Sequence, residues 1–107
     1  MKAYLKVTFS DGRVFAIPTG IIAMNRAGYY AQKEADDDPA KFSTIYEEEY
    51  QYTVTNSEEL LDWAVNNMDW KDLMDFAVQI EAGKSADLDK EWVNAEKEVV
   101  FKNAPVS

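Results

Sequence analysis

Residues 3–18 read AYLKVTFSDGRVFAIP, and this stretch decides the fold class because it contains a complete β-hairpin pattern. Apolar side chains occupy every second position over residues 3–9, which is the period of a strand with one buried face. The Asp11-Gly12 pair favours a tight turn through its tolerance of positive φ angles. A return strand over residues 14–17 then ends at Pro18, because proline lacks the N–H that a sheet ladder needs.

Helical patterns follow the hairpin. Polar residues that commonly cap helices precede four apolar-periodic segments, and Asn56 is followed by Glu59 in the spacing of a capping box. We predict a helix that reaches about Ala35, a second one that starts with Pro39, and two shorter ones beyond. The predicted N-caps are Thr19, Asp38, Asn56 and Asp69.

Two later segments carry ambiguous patterns. Residues 76–81 alternate apolar and polar side chains, which favours a strand over a continuing helix. From Asp87 onward, the spacing of Trp92, Ala95 and Val99 favours a helix, although residues 98–102 also read as a strand. The sequence leaves both assignments open.

The predicted architecture is one small α+β domain over residues 1–107. An N-terminal β-hairpin, or a three-stranded antiparallel sheet if residues 76–81 add a strand, packs against three to five short helices. A chain of 107 residues suffices for one hydrophobic core. No segment shows the pattern of a signal peptide or a membrane span, so we expect a cytoplasmic protein that does not bind membranes.

The composition of the chain excludes most kinds of catalytic site. The chain has no cysteine and no histidine, which excludes thiolate nucleophiles, serine–histidine catalysis and zinc sites of the usual kinds. Its four glycines form no phosphate-binding motif. We therefore predict no catalytic residues and no cofactor.

Two acidic patterns could hold a metal ion through oxygen ligands. Asp87, Asp89 and Glu91 imitate the start of a calcium loop, but Trp92 stands where the loop needs a glycine. The run Asp36-Asp37-Asp38 is explained by a turn and a helix cap. We predict no metal site, and a stabilisation by calcium or magnesium would contradict this.

The charge distribution points to a class of partner. The net charge is −9, and residues 34–81 alone contain fourteen acids and two lysines, whereas residues 1–33 contain five basic residues and one acid. Such a negative block disfavours direct binding to nucleic acid and favours a protein partner with a basic surface.

Acids and aromatic side chains in this block are the candidate contact residues. Tyr50 and Tyr52 lie two positions apart, about 200° around a helix, so one of them must sit at the rim of the core. Tyrosine is also a preferred anchor of protein interfaces. The candidate partner-binding residues are Glu47, Glu48, Tyr50, Tyr52, Asp62, Asp69, Asp72 and Asp75.

Several segments resemble a family of small acidic proteins of unknown function that tailed bacteriophages and prophages encode. They are KVTFSDG (6–12) with Ile17-Pro18, Ile22-Ala23 with Arg26-Ala27 and YYA (29–31), ELLDWA (59–64) with NNMDW (66–70), and Glu91-Trp92 with NAEKE (94–98). The resemblance implies an accessory protein in the bacterial cytoplasm that binds a host or phage protein. Two alternatives remain: a DNA mimic that inhibits a restriction, CRISPR or transcription complex, and a structural or assembly component of the virion. The oligomeric state stays open.

Overall fold

The computed structural model describes residues 2–81 and 92–102, which form a four-stranded sheet with helices on one face. The predicted α+β fold is confirmed. In chain order the elements are β1 (Lys2–Thr8), β2 (Val14–Pro18), α1 (Thr19–Glu34), α2 (Pro39–Val54), α3 (Ser57–Asn67), α4 (Trp70–Leu73), a 3₁₀ turn (Met74–Phe76), β3 (Val78–Glu81) and β4 (Glu96–Lys102).

The sheet has the strand order β3-β2-β1-β4 with antiparallel pairs throughout. The N-terminal hairpin is therefore its centre, and the sheet has one more strand than the three that the sequence suggested. Leu5 pairs with Ile17 on one side and with Val99 on the other. Because paired residues share a face, these three side chains form a continuous apolar row toward the helices.

The hairpin closes through the tight turn that the Asp11-Gly12 pair predicts. The amide of Gly12 donates to the Phe9 carbonyl at 3.0 Å, and the Phe9 amide donates to the Arg13 carbonyl at 2.9 Å. Within this loop Gly12 alone has a positive φ, of 92°. This is a three-residue loop that closes with a glycine in the left-handed region, a common alternative to the two-residue turn.

Of the two assignments left open for the segment with Trp92, Ala95 and Val99, the strand over residues 98–102 is confirmed and the helix is wrong over the described residues. The chain turns at Trp92 and enters β4, while Asp87, Asp89 and Glu91 lie outside the described residues. Trp92 is buried, and its Nε1 donates to the Met68 carbonyl at 3.1 Å. Pairing with β1 overrides the helical spacing, because tertiary packing outweighs weak local periodicity.

Lys97 covers this tryptophan. Its ammonium lies 4.4 Å from the centre of the Trp92 ring and donates to the Ala95 carbonyl at 2.9 Å. Burial lowers the pKa of Lys97 from its ordinary value. A charged side chain on the helix-facing side of β4 is thus held by a ring face and backbone oxygens.

The core lies between the sheet and the helices. Trp70 meets the rings of Phe9 and Phe15 edge to face, at centroid distances of 5.1 and 5.0 Å. The other buried members of the cluster are Leu5, Val7, Ile17, Ile22, Leu60, Trp63, Ala64, Met68, Leu73 and Trp92.

The helices begin mostly where the sequence predicts. Asp38 accepts from the amides of Ala40 and Lys41, and Asn56 accepts from the amide of Glu59. Thr19 is the exception: Pro18 occupies the N-cap, while the Thr19 hydroxyl donates to the carbonyl of Ala3 at 3.4 Å. The start of α1 is therefore tied to β1.

α2 packs mainly along α1. Four alanines recur every fourth residue on α1 and are buried, which places a smooth stripe along one helix face: Ala23, Ala27, Ala31 and Ala35. In the described part of the chain, no helix is both long and apolar enough to cross a membrane.

Enlarging the alanine stripe should weaken the helix pair. We expect Ala27→Leu to lower the free energy of unfolding by about 1–3 kcal/mol through overpacking, since leucine and alanine have similar helix propensities. Chemical denaturation measures this. Ala40→Leu on the exposed surface of α2 is the control, and equal effects of the two substitutions would contradict close packing of the stripe.

The hairpin loop should contribute a pH-dependent stability. Burial of the Asp11 carboxylate raises its pKa, but hydrogen bonds from the Arg13 amide and side chain, with the Arg13 charge, outweigh this and hold the pKa below its ordinary value of 3.8. Asp11 therefore stabilises the fold above that value, and the effect is lost as the pH falls through the lowered pKa.

We thus expect Asp11→Asn to be less stable than the parent protein at neutral pH, with the difference vanishing in acid. Denaturant unfolding of both proteins from neutral pH to about pH 2 covers the window in which carboxylates titrate. A stability difference that stays constant over this range would show that the Asp11 charge has no part in it.

Candidate functional site

Most of the net negative charge lies on residues 39–76, which form α2, α3, α4 and the 3₁₀ turn. From Pro39 to Phe76 the chain carries nine acids and two lysines, while the four strands together carry four lysines and three glutamates. Among the described residues, Glu49 is the one acid of this helical segment that forms an ion pair. The other eight carboxylates form no ion pair within the described residues, and nine acids against two lysines give residues 39–76 a formal charge of −7.

The predicted contact residues on α2 lie on different sides of that helix. Glu47 and Glu48 are exposed, and Glu47 accepts a hydrogen bond from Gln51 at 3.2 Å. Tyr52 is 45% exposed, whereas Tyr50 is half-buried and stacks on Tyr46. The helical geometry inferred from the sequence therefore placed one of the two tyrosines at the surface correctly.

The four predicted aspartates of α3, α4 and the 3₁₀ turn are all exposed. At the start of α4 the Asp69 amide donates to Asp72 Oδ2 at 2.8 Å, and the Asp72 amide donates to the Asp69 carbonyl at 3.0 Å. Asp62 accepts from Asn66 at 2.8 Å. Asp72 thus has a local structural role, while Asp62 and Asp75 have none that fixes the fold.

Arg26 is the central residue that the sequence analysis missed. It lies on α1 and is buried, and its Nη1 donates to Glu49 Oε1 at 2.8 Å and to Thr53 Oγ1 at 3.1 Å on α2. Its guanidinium carbon lies 4.8 Å from the ring centre of Tyr30 and 5.2 Å from that of Tyr52. One cation therefore joins two helices through an ion pair and two ring faces.

A sequence signal for Arg26 existed. It occupies the same helix face as Ala23 and Tyr30, because residues three and four apart are neighbours on a helix. A lone charge within a buried stripe requires a partner. This requirement predicts an acidic partner for Arg26 on a neighbouring helix.

Three aromatic rings form a cluster between α1 and α3. Tyr29, Tyr30 and Trp63 have ring centroids separated by 5.2 to 5.7 Å. Trp63 is fixed through its Nε1, which donates to Asn25 Oδ1 at 2.9 Å. Tyr29 stands at the outer side of the cluster, with 51% of its surface exposed.

An open cavity of about 600 Å³ lies at this cluster. Rings, amides and carboxylates line it together, a combination that suits a polar ligand with a flat or cationic group. The lining residues are Asn25, Arg26, Tyr29, Tyr30, Gln32, Glu59, Asp62, Trp63 and Asn67.

Glu59 faces this cavity instead of completing the predicted capping box. The Asn56 side chain accepts from the Glu59 amide at 3.3 Å, as predicted. Within residues 2–81 and 92–102, the carboxylate of Glu59 has no hydrogen-bond or ion-pair partner, including the reciprocal bond to Asn56. The same ranges place no group of three or more acids where they could hold a metal ion.

Comparisons of the chain with protein-family models, with curated proteins and with solved structures find no match. The site is therefore interpreted from its own residues.

The ion pair of Arg26 should be essential for the helix arrangement. We expect Glu49→Gln to destabilise the fold by about 1–3 kcal/mol, because the amide oxygen can still accept from Arg26 but leaves its buried charge without a counter-ion. Thermal and denaturant unfolding measure the loss. Glu48→Gln on the exposed side of the same helix is the control, with an expected change of no more than about 0.5 kcal/mol. A loss in Glu49→Gln no larger than in the control would contradict the assigned role.

Proposed function

We propose that this protein is a non-enzymatic binding protein, and that its acidic helical layer contacts a basic surface of another protein. The observation that carries the proposal is the set of eight carboxylates on residues 39–76 that form no ion pair within the described residues. Like charges confined to one part of a molecule repel one another and lower stability. A partner with a basic surface would relieve that repulsion on binding.

The negative charge of residues 39–76 would also govern the rate of association and the choice of partner. Complementary potentials accelerate the encounter between two proteins and exclude partners of the same sign. Because exposed charges are screened by salt, the affinity of such a complex falls as the ionic strength rises.

Exposed aromatic side chains supply anchors beside these acids. Tyr29 and Tyr52 are about half exposed, and both belong to the ring system around Arg26 and Trp63. Their backbone positions are fixed by packed helices, so little conformational freedom is lost when a partner covers them. Interfaces concentrate binding energy in such aromatic residues.

The resemblance to bacteriophage and prophage proteins suggests the setting. In that setting the protein acts in the bacterial cytoplasm as an accessory protein, and the partner is a host or phage protein. A structural role in the virion remains the alternative and predicts that the protein co-purifies with particles.

Neutralising the helical acids should abolish binding. The test variant combines Glu47→Gln, Glu48→Gln, Asp62→Asn and Asp75→Asn, which spares the capping residues of α4. Tagged protein captures the partner from a bacterial lysate at low and high salt, and the purified partner is then titrated. We expect at least about a tenfold weaker affinity for the variant, because several charge pairs are lost together.

The matched control changes the net charge equally at exposed acids elsewhere: Glu34→Gln, Asp36→Asn, Asp37→Asn and Glu96→Gln. It should bind as the parent protein does. Equal weakening in both variants would show that only net charge matters, and a parent protein that binds no partner at low salt would contradict the proposal.

Competition with duplex DNA separates the general proposal from DNA mimicry. If the partner binds DNA, a mimic must displace that DNA from the same site. A partner that binds this protein and DNA simultaneously, with no mutual weakening, would exclude mimicry and leave protein binding in place.

A further inference from the structure

The cavity between α1 and α3 carries an inference that rests on the proposed function and makes it specific. The cavity combines a cluster of ring faces, two carboxylates and several amide side chains. Its volume of about 600 Å³ lies within the range of small-ligand sites.

The two carboxylates in the cavity have no cationic partner among the described residues. Glu59 and Asp62 lie three residues apart on one face of α3, where like charges repel. Asp62 accepts one hydrogen bond from an amide, and among the described residues neither carboxylate forms an ion pair. This arrangement costs stability and becomes favourable when a positive group enters the cavity.

Arg26, the cationic side chain that lines the cavity, is not available to pair with Glu59 and Asp62. Arg26 lines the cavity, but its Nη1 is bound by Glu49 and Thr53 of α2. Its guanidinium covers the ring of Tyr30 at 4.8 Å and lies 6.0 Å from that of Trp63. Arg26 therefore belongs to the helix junction and leaves Glu59 and Asp62 for an external group.

The ring of Tyr29 remains open to such a group. It is half exposed, and Lys33 lies over it at 5.8 Å, near the outer limit of a cation–π contact. The position of Lys33 agrees with a negative potential at this ring. Lys33 itself is exposed and forms no ion pair among the described residues.

We propose that the cavity binds an arginine side chain presented by the protein partner. A guanidinium can stack its face on the Tyr29 ring while its edge donates to Asp62 and Glu59, which a compact ammonium cannot do at once. The amides of Asn25, Gln32 and Asn67 provide further oxygen acceptors around the plane of the group. The cavity thereby selects arginine over lysine.

The experiment titrates the folded protein with the blocked tripeptide acetyl-Gly-Arg-Gly-amide and follows the three tryptophan indole N–H signals by NMR. Trp63 borders the cavity, whereas Trp70 and Trp92 are core references. We expect a saturable shift of the Trp63 signal, with the other two unchanged. The neutral citrulline peptide should bind at least about tenfold more weakly, and the lysine peptide about threefold more weakly.

Two double variants of equal charge locate the site. Glu59→Gln with Asp62→Asn should weaken the arginine peptide about tenfold or more, because both carboxylates lose their charge. Glu47→Gln with Glu48→Gln, on the exposed face of α2, should leave it unchanged. Tyr29→Ser, at an exposed ring, should weaken it severalfold without unfolding the protein.

Three results would overturn the proposal: equal binding of the arginine and citrulline peptides, unchanged binding to the Glu59→Gln with Asp62→Asn variant, or a common shift of all three tryptophans. If the arginine peptide does not bind but the partner protein still binds in a salt-dependent manner, the proposed arginine site is excluded and the proposed function is retained. If the peptide binds in the cavity but no protein partner exists, the proposed function falls instead.

Discussion

The arrangement of the helices depends on the buried charge of Arg26. Taking a guanidinium out of water is costly unless an acid and further acceptors or rings replace the lost hydration. Glu49, Thr53, Tyr30 and Tyr52 supply that replacement from both helices of the pair. A shift of α2 along α1 by one turn would separate Arg26 from all its partners on α2. The contacts of Arg26 therefore fix the position of α2 along α1, which the smooth alanine stripe alone would not fix.

The position of α2 along α1 also determines which side chains are exposed at the surface. Because Arg26 covers one side of the Tyr30–Trp63 cluster, Tyr29 is left at the outside of the same cluster. Neutralisation of Arg26 by Glu49 leaves the acids of α3 without a partner in the described part of the chain. The fold therefore uses Glu49 to neutralise its buried cation, while Asp62 on α3 stays exposed to solvent, where it can serve recognition.

Local patterns in the sequence were sufficient for much of the fold. The hairpin, the start of α2 at Asp38 and the start of α3 at Asn56 follow from short-range hydrogen bonding, which the residues themselves dictate. β4 could not be assigned, since its strand character depends on β1, far away in sequence. For the site, the sequence located the acidic segment and the exposed Tyr52, but it missed the cavity. Glu59 was assigned to a cap, and the meeting of α1 with α3 is a tertiary contact that periodicity does not encode.

The order of strands has a consequence for how the chain folds during synthesis. β1 lies inside the sheet, and its second neighbour, β4, spans residues 96–102. Until those residues leave the ribosome, one edge of β1 has no partner, and the pocket that receives Trp92 is open. Contacts between such distant segments slow folding, and unpaired strand edges invite association with other chains. A nascent chain of this protein is therefore most exposed to aggregation in the interval before its last strand emerges.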